Sequence, residues 1–434
     1  MSTFNELDAI DLNDIDGFWA KPTEYRHAAF DALRAEPRLP FFPEPEFGMA
    51  PRGPGYYALT RMDDILQVSR DAARFISGKG TGNVVDLPPE MVAEFGESMI
   101  TMDGPRHGRL RRIVSRAFTP KAMNAVMDNV TQVAKGIIDE VIERGECDAV
   151  TDISAKLPLR IICDMMGVPE SQHEFVFKQT NLLLGLSDPD YVAEQDDALG
   201  VMFNASQALA DLMHELAAHR AANPADDLIS TLLSAEIDGE VLTPSELASF
   251  FILLVSAGTE TTRNAISWGI ELLTTFPEQR TVWLSDLDRV TPTAVEEIVR
   301  WASPVIFQRR TVAEDAEPIE LGGRQLGPGD KVLMFYWAAN RDPRYFENPE
   351  RFDVLRSPNP HIGYGGPGPH FCLGAHMARL ELKVIFRQLL TRIPDIRVTG
   401  EPVRLKSSLV NGIKSLPVTF TPGSPSRRTD LDAT

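Results

Sequence analysis

The chain is poor in cysteine, in sustained hydrophobic runs and in positive charge, and each shortage excludes something. Its 434 residues contain three cysteines, Cys147, Cys163 and Cys372. So few thiols in so long a chain argue against a disulfide-stapled secreted framework. No basic-then-apolar leader precedes the acidic start, and the expected location is the cytoplasm. The most apolar stretch, Phe250 to Ala257, is far shorter than the roughly 20 residues that span a bilayer, and Glu260 and Arg263 follow it closely. It reads as part of a core helix, and no transmembrane segment is expected. With 43 Lys and Arg against 62 Asp and Glu, the formal charge is −19. That balance argues against nucleic acid or anionic membrane as a general partner, because binding phosphate needs clustered cations.

What is present is ample material for a core, with 43% hydrophobic residues. The start is rich in proline and aromatics, and GYYALTRMDD predicts a short strand over Tyr56 to Thr60 and a helix over Asp63 to Ser69. Ser77 to Ile100 reads as a long apolar loop of the kind that serves as a lid or packs on the core. Helical periodicity dominates from Pro105 to about Ala235, with one stop at Gly145. The next helix starts at TPSE, where Thr243 caps, Pro244 suits the first turn and Glu246 completes a capping box. It is expected to run to the neighbourhood of Pro277, about 32 residues or roughly 48 Å. Its middle is apolar all round and should be buried. After Arg300 short β-like runs take over, RRTVAED, PIELGG and DKVLMFYW, divided by glycine and proline turns. No repeat or low-complexity linker divides the chain, and residues 423–434 read as a disordered tail.

The stretch GYGGPGPHFCLGAHMAR, Gly363 to Arg379, sets one cysteine between a glycine-rich run and a helix-like run. Gly363, Gly365 and Gly368 match a dinucleotide-binding spacing, but RSPNPH precedes them instead of a strand, Pro367 and Pro369 interrupt them, and Gln388 stands where an acid is required. His370, Cys372 and His376 could begin a zinc site, but a structural zinc needs four protein ligands and no second pair is near. A buried, inert cysteine in a tight turn is the plain alternative. The remaining reading is a haem-iron thiolate. A cysteine just before a helix sits where backbone N–H groups and the helix dipole favour the anion, and glycines admit a flat macrocycle. A thiolate also donates electron density that promotes O–O cleavage. On this argument Cys372 is the axial ligand.

Three distant motifs bear on that reading. AGTETT, Ala257 to Thr262, lies in the middle of the long helix; a charged residue is rarely buried without purpose, and a helical Thr can bond back to a carbonyl and bend the helix. An ordinary polar helix face is the alternative. In EIVR, Glu297 and Arg300 are three apart on one face and can pair. In DGPRHGRLR, His107 and Arg111 lie one turn apart and can present two donors to carboxylates, unless this is simply a solvated basic helix.

Taken in order along the chain, these motifs resemble a cytochrome P-450, a haem-thiolate monooxygenase, over nearly the whole length. The loop keeps Gly368, His370, Cys372 and Gly374 but has Gly365 where the family usually places an aromatic, with Tyr364 one residue further back. The resemblance implies a mainly α fold with small β-sheets, a single domain over 1–422, and haem b (iron protoporphyrin IX) between the long central helix and the cysteine-loop helix, ligated by Cys372. It implies room for O₂ at Ala257 and Gly258 and proton delivery by Glu260 and Thr261, with Thr262 beside them. His107, Arg111, Arg310 and His370 become the candidates for holding the haem propionates, with Tyr364, Gly365 and Gly374 also against the cofactor. Glu297 and Arg300 are expected to lock with Arg351 as a structural brace. Arg109, Arg112 and Arg116 form a basic stripe, a dock for an acidic ferredoxin supplied by a ferredoxin reductase and NAD(P)H.

The runs IICDMMGVP, SFFILLVSAGTETTRNAI, PTAVEEIVRWASPV, SPNPHIGYGG and NGIKSLPV are similar to the actinobacterial branch that hydroxylates terminal methyl carbons of methyl-branched lipids and sterol side chains. By that likeness Met99, Ile100, Leu183, Leu253, Ala257, Val305, Ile306 and Val410 line the substrate pocket. The alternatives are a hydroxylase of another hydrophobic substrate, a peroxide-driven peroxygenase of the same fold, and a non-enzymatic haem or zinc protein.

Overall fold

The computed structural model describes residues 7–45, 53–86, 98–115, 118, 120–193, 197–236 and 239–426. Residues 87–97 of the expected lid, Arg116, and the expected tail from 427 onward therefore lie outside the described residues.

Helices run over Thr23–Ala35 (α1), Met62–Arg70 (α2), Gly104–Ser115 (α3), Pro120–Val141 (α4), Lys156–Met166 (α5), His173–Leu184 (α6), Ala198–Ala222 (α7), Leu228–Leu233 (α8), Pro244–Thr275 (α9), Pro277–Ser285 (α10), Leu287–Ala302 (α11), Tyr336–Ala339 (α12) and Ala375–Arg392 (α13). Strands are Phe41–Phe42 (β1), Tyr56–Leu59 (β2), Phe75–Ile76 (β3), Glu146–Asp148 (β4), Phe307–Val312 (β5), Ile319–Leu321 (β6), Arg324–Leu326 (β7), Lys331–Phe335 (β8), Arg397–Val398 (β9), Val403–Arg404 (β10), Ile413–Ser415 (β11) and Pro417–Thr419 (β12). The fold is mainly α, as expected, and among the described residues no helix is long and apolar enough to cross a membrane.

The long helix α9 spans 32 residues and begins with the capping box read from TPSE. The Glu246 N–H donates to Thr243 Oγ1 at 3.1 Å, and the Thr243 N–H donates to Glu246 Oε2 at 3.0 Å. These bonds satisfy donors that a helix start leaves without partners. α9 is the axis of the molecule, packed against α5, α6, α7, α11 and α13, and it buries Glu260, Arg263 and Asn264 in its middle along with its apolar residues.

Five strands form the main sheet in the order β1-β2-β8-β5-β3. Alternation along β8 joins the sheet to two cores: Leu333 and Phe335 pack with Phe18, Phe30 and Phe307, while Val332 and Met334 pack with Ile65, Phe75 and Val312. The run DKVLMFYW stays extended only to Phe335; Tyr336 and Trp337 turn into the single-turn helix α12. The start of the expected tail is docked on α4, where the Gly423 N–H donates to Ile142 O at 2.9 Å and the Ser426 N–H to Asp139 Oδ1 at 2.8 Å.

Candidate active site

The cysteine loop is held by its own backbone and by α2. The Cys372 N–H donates to Tyr364 O at 3.0 Å, and the Gly365 N–H to Ile362 O at 2.9 Å. Gly365 has φ +87°, a left-handed conformation that disfavours an aromatic and accounts for the glycine at that place. A Cβ on Gly368 would lie 2.1 Å from Ser69 O, and one on Gly366 2.5 Å from Ser69 Oγ, so the loop can rest on the end of α2 only as glycine. The displaced aromatic, Tyr364, lies under the Arg379 guanidinium at 4.2 Å, with its hydroxyl buried and without a partner.

The Cys372 side chain is accessible, but to an internal cavity enclosed by α9, α13, α3 and the loop. Enclosure by protein pushes its thiol pKa up, opposed by the Gly374 N–H and by the positive charges of Arg111 and Arg379. The surroundings therefore hold a ready set of partners for an anionic sulfur, while burial keeps the proton on until a positive centre replaces it. A Cβ on Gly374 would meet no atom within 4 Å, so the space beside the thiol is open and not packed.

One rim of the cavity is cationic or imidazole. The His107 and His370 rings lie 4.3 Å apart, and His370 Nε2 is 3.1 Å from Ser77 Oγ and 3.8 Å from Asp103. Burial, with His370 and Arg111 adding to it, lowers the His107 pKa to about 4, and burial likewise lowers that of His370. Arg111 donates to Phe371 O at 2.5 Å, and Arg310, 5% exposed, donates to Arg309 O at 2.7 Å. Among the described residues neither guanidinium is bonded to a carboxylate. Two enclosed guanidinium groups facing one cavity without counter-ions fit a ligand that brings its own carboxylates.

The opposite wall is one stripe of α9, with Phe250, Leu253, Leu254, Ala257, Gly258, Thr261, Thr262 and Ala265 recurring at three- and four-residue intervals. Thr261 Oγ1 donates to Ala257 O at 2.7 Å, the back-bond expected of a helical Thr. Glu260, by contrast, is not on this face. Its carboxylate accepts from Asn264 Nδ2 at 2.8 Å and pairs with Arg263, in a buried contact that Arg263 extends to Asn181 Oδ1 at 3.0 Å. The acid and the alcohol are thus neighbours in sequence on different faces of the helix.

Several expected assignments are corrected by geometry. Glu297 and Arg300 pair at 2.7 and 2.9 Å with no exposure, as expected, but the third member is Arg356 and not Arg351. Arg356 Nε donates to both Glu297 oxygens at 3.1 and 3.0 Å, whereas Arg351 is exposed and gives this cluster only its backbone carbonyl. The basic stripe on α3 is also partly used up, because Arg109 is paired with Glu246 at 2.5 Å and Glu240 at 3.2 Å. Of the expected pocket residues, Met99, Ile100, Leu253, Ala257 and Val305 line the cavity. Ile306 alternates to the other side and packs with Phe18 and Trp19. Val410 is paired with Val305 across a β-bridge and does not line this cavity, and Leu183, on α6, packs against the main hydrophobic core. Phe250, Leu254 and Ala265 were missed, although stepping the helical period from Leu253 and Ala257 reaches each of them.

The zinc reading fails on placement: His370 faces Ser77 and Asp103, His376 is exposed, and among the described residues no three His, Cys, Asp or Glu side chains gather as metal ligands. Size does not mark the site either, since a more open groove of about 1520 Å³ lies elsewhere, without a thiol. A thiol supplied with partners for its anion, an open gap beside it and two counter-ion-seeking guanidinium groups suit a cysteine-ligated haem with two propionates, and so define the haem-thiolate class.

The chain belongs to the cytochrome P-450 family, whose model matches residues 57–394, and it is a haem-dependent monooxygenase of that family. It is 46% identical over 415 residues to a methyl-branched lipid omega-hydroxylase of Mycobacterium tuberculosis, covering 95% of each chain. It is 39% identical over 373 residues to a steroid C26-monooxygenase of Rhodococcus jostii, covering 85% of this chain and 76% of the other. A Mycobacterium marinum cytochrome P-450 solved in complex with pseudoionone superposes with a TM-score of 0.89 at 42% identity, over 96% of this chain and 100% of that one.

Proposed function

We propose that the protein hydroxylates the terminal methyl carbon of a methyl-branched aliphatic lipid, with Cys372 as the haem ligand and a ferredoxin as the electron donor. The observation that carries the substrate class is the cavity wall opposite the thiol. Met99, Ile100, Phe118, Phe250, Leu253, Leu254 and Val305 offer hydrocarbon surface, and the charged groups stand on the propionate rim. Such a wall holds a chain by area and not by hydrogen bonds, at about 25 cal/mol per Å² buried. The names of the relatives point the same way, both to the end of an aliphatic chain.

When bound, the thiolate-ligated haem activates O₂ and supplies the oxidising power that places one oxygen atom in a C–H bond. The rest falls to the chain's own residues. Cys372 holds its negative charge against the Gly374 N–H, Arg111 and Arg379. Arg111, Arg310, His107 and His370 hold the propionates, and the two neutral imidazoles can donate there without adding net charge. Ala257 and Gly258 keep the cavity side of α9 free of bulk. Thr261 presents its hydroxyl at that same face, as the last proton-bearing group before the cavity. Glu260 stands one residue back and reaches toward it only by loosening its bond to Arg263. The location that suits this chemistry is the cytoplasm, where reduced nicotinamide and ferredoxin are available.

The test is titration of the purified haem protein with a methyl-branched fatty acid, a straight-chain acid of equal length and cholest-4-en-3-one, followed by turnover with ferredoxin, ferredoxin reductase and NAD(P)H. A spin-state change and terminal hydroxylation favouring the branched acid are expected. Subterminal attack on every ligand, or equal turnover with hydrogen peroxide alone, overturns the reading.

A further inference from the structure

The more open groove, about 1520 Å³, runs between α1, the C-terminal half of α9 and the segment from Arg404 to Gly412. Its lining includes Leu272, Phe276 and Trp268, the last beneath the Arg404 guanidinium at 4.2 Å, together with Arg26, His27 and Glu271. Arg26 is only 7% exposed. It donates to Thr23 Oγ1 at 3.2 Å, lies 5.5 Å from the Trp337 ring, and leaves its Nε without a partner. His27 Nε2 is likewise buried without a partner.

The nearby carboxylates are engaged elsewhere. Glu271 bonds Arg404 at 2.8 and 2.5 Å, Asp31 bonds Arg34 at 2.5 Å, and Glu350 pairs with His27 Nδ1 at 2.5 Å and Arg341 at 3.7 Å. Glu24 acts on Arg26 only through space, and among the described residues no carboxylate is bonded to Arg26. Burial, with Arg404 adding to it, lowers the Arg26 pKa to about 10, as expected of a cation without a bonded counter-ion.

We infer that this groove is a second ligand site, for a long-chain carboxylate whose head group pairs with Arg26 and whose chain lies along Leu272 and Phe276. A buried guanidinium is costly unless an anion meets it, and charge-assisted bonds to a carboxylate are the strong ones. The aromatic and aliphatic walls select an anion that carries hydrocarbon over a small inorganic one. Val410 lines this groove and is paired across a β-bridge with Val305, which lines the haem cavity. The assignment does not depend on which lipid the haem cavity takes.

The experiment measures radiolabelled palmitate binding to the haem enzyme while phenylimidazole on the iron closes the catalytic cavity. A single equivalent should remain bound, weakened about tenfold or more in Arg26→Gln and kept in Arg26→Lys, and methyl palmitate should not displace it. Should Arg26→Gln fail to fold, the ester comparison on the unaltered enzyme decides. No palmitate bound to the closed enzyme, binding indifferent to Arg26→Gln, or displacement by the uncharged ester overturns the site.

Discussion

Arg356 Nε bonds both oxygens of Glu297, at 3.1 and 3.0 Å, while Arg351, five residues earlier, is exposed. Arg300 and Asn359 also reach the same carboxylate, so Glu297 is a fully buried anion whose charge is shared among several donors. Removing one cation leaves that anion undercompensated, at a cost of about 3 kcal/mol. Arg356→Ala should therefore lower the urea midpoint and the haem retained on purification, whereas Arg351→Ala should stay within about 0.5 kcal/mol of the unaltered protein. Equal losses in both variants would return the bracing role to Arg351.

Cys372 lines the cavity, beside the Gly374 N–H and near two guanidinium groups. Cys372→His replaces an anionic sulfur with a neutral imidazole, and the electron donation behind O–O cleavage is lost. The reduced carbonyl spectrum should move from the thiolate-type band to that of a histidine haem, and monooxygenation should stop. A thiolate-type band surviving in Cys372→His would remove the ligand assignment.

How far such assignments could be read from sequence depends on the kind of structure each residue occupies. Within α9, where one period governs, the capping box, the length and the cavity face follow from a few residues, and even the missed Phe250, Leu254 and Ala265 lie on the same stripe. The contact of Glu260 with Arg263 was also available as an i, i+3 pair, but periodicity alone does not say which face an acid prefers when both are buried. In irregular chain the local rules give less. Arg351 and Arg356 sit in one loop, and only its tertiary path turns one guanidinium inward. Val305 and Ile306 are adjacent at the entry to β5, where a one-residue choice sends a side chain to the cavity or to the opposite core. Val410 depends on a bridge made across about a hundred residues, which no local pattern encodes.

Glu296 supports the loop from below, accepting from Arg379 at 2.6 and 2.9 Å and lying 3.0 Å from His361 Nε2. Burial alone would push its carboxyl up, but the bonds from His361 and Arg379 outweigh burial and hold its pKa at about 2, below the ordinary 4.5. A depressed carboxyl contributes stability above the unfolded value and loses it as pH falls through 4.5 toward 2. The contribution at neutral pH is roughly 3 kcal/mol. Urea unfolding from pH 6 to about pH 3 should show stability falling with acid, and Glu296→Gln should be less stable at neutral pH with a flatter profile. A variant with an unchanged slope would show that other carboxylates govern acid unfolding.

Thr261 and Glu260 occupy different faces of α9, and their variants should therefore fail differently. Thr261 touches the cavity and bonds only its own helix, so Thr261→Ala removes a hydroxyl at little cost to packing. Substrate binding and electron uptake should persist while product formed per electron falls and hydrogen peroxide rises. Glu260 is the buried partner of Arg263, and Glu260→Gln keeps the shape but strips that guanidinium of its bonded anion, costing about 3 kcal/mol of stability. It should slow turnover with an increased solvent deuterium effect, because protons must then reach the Thr261 side without a carboxylate to relay them. Arg263→Gln releases the same carboxylate from the other side and should partly restore stability in the double variant, which no longer holds an unpaired buried charge. Were Thr261→Ala to keep the unaltered yield of product per electron, the hydroxyl would not be the last donor, and the proton path would have to run along a different face of the helix.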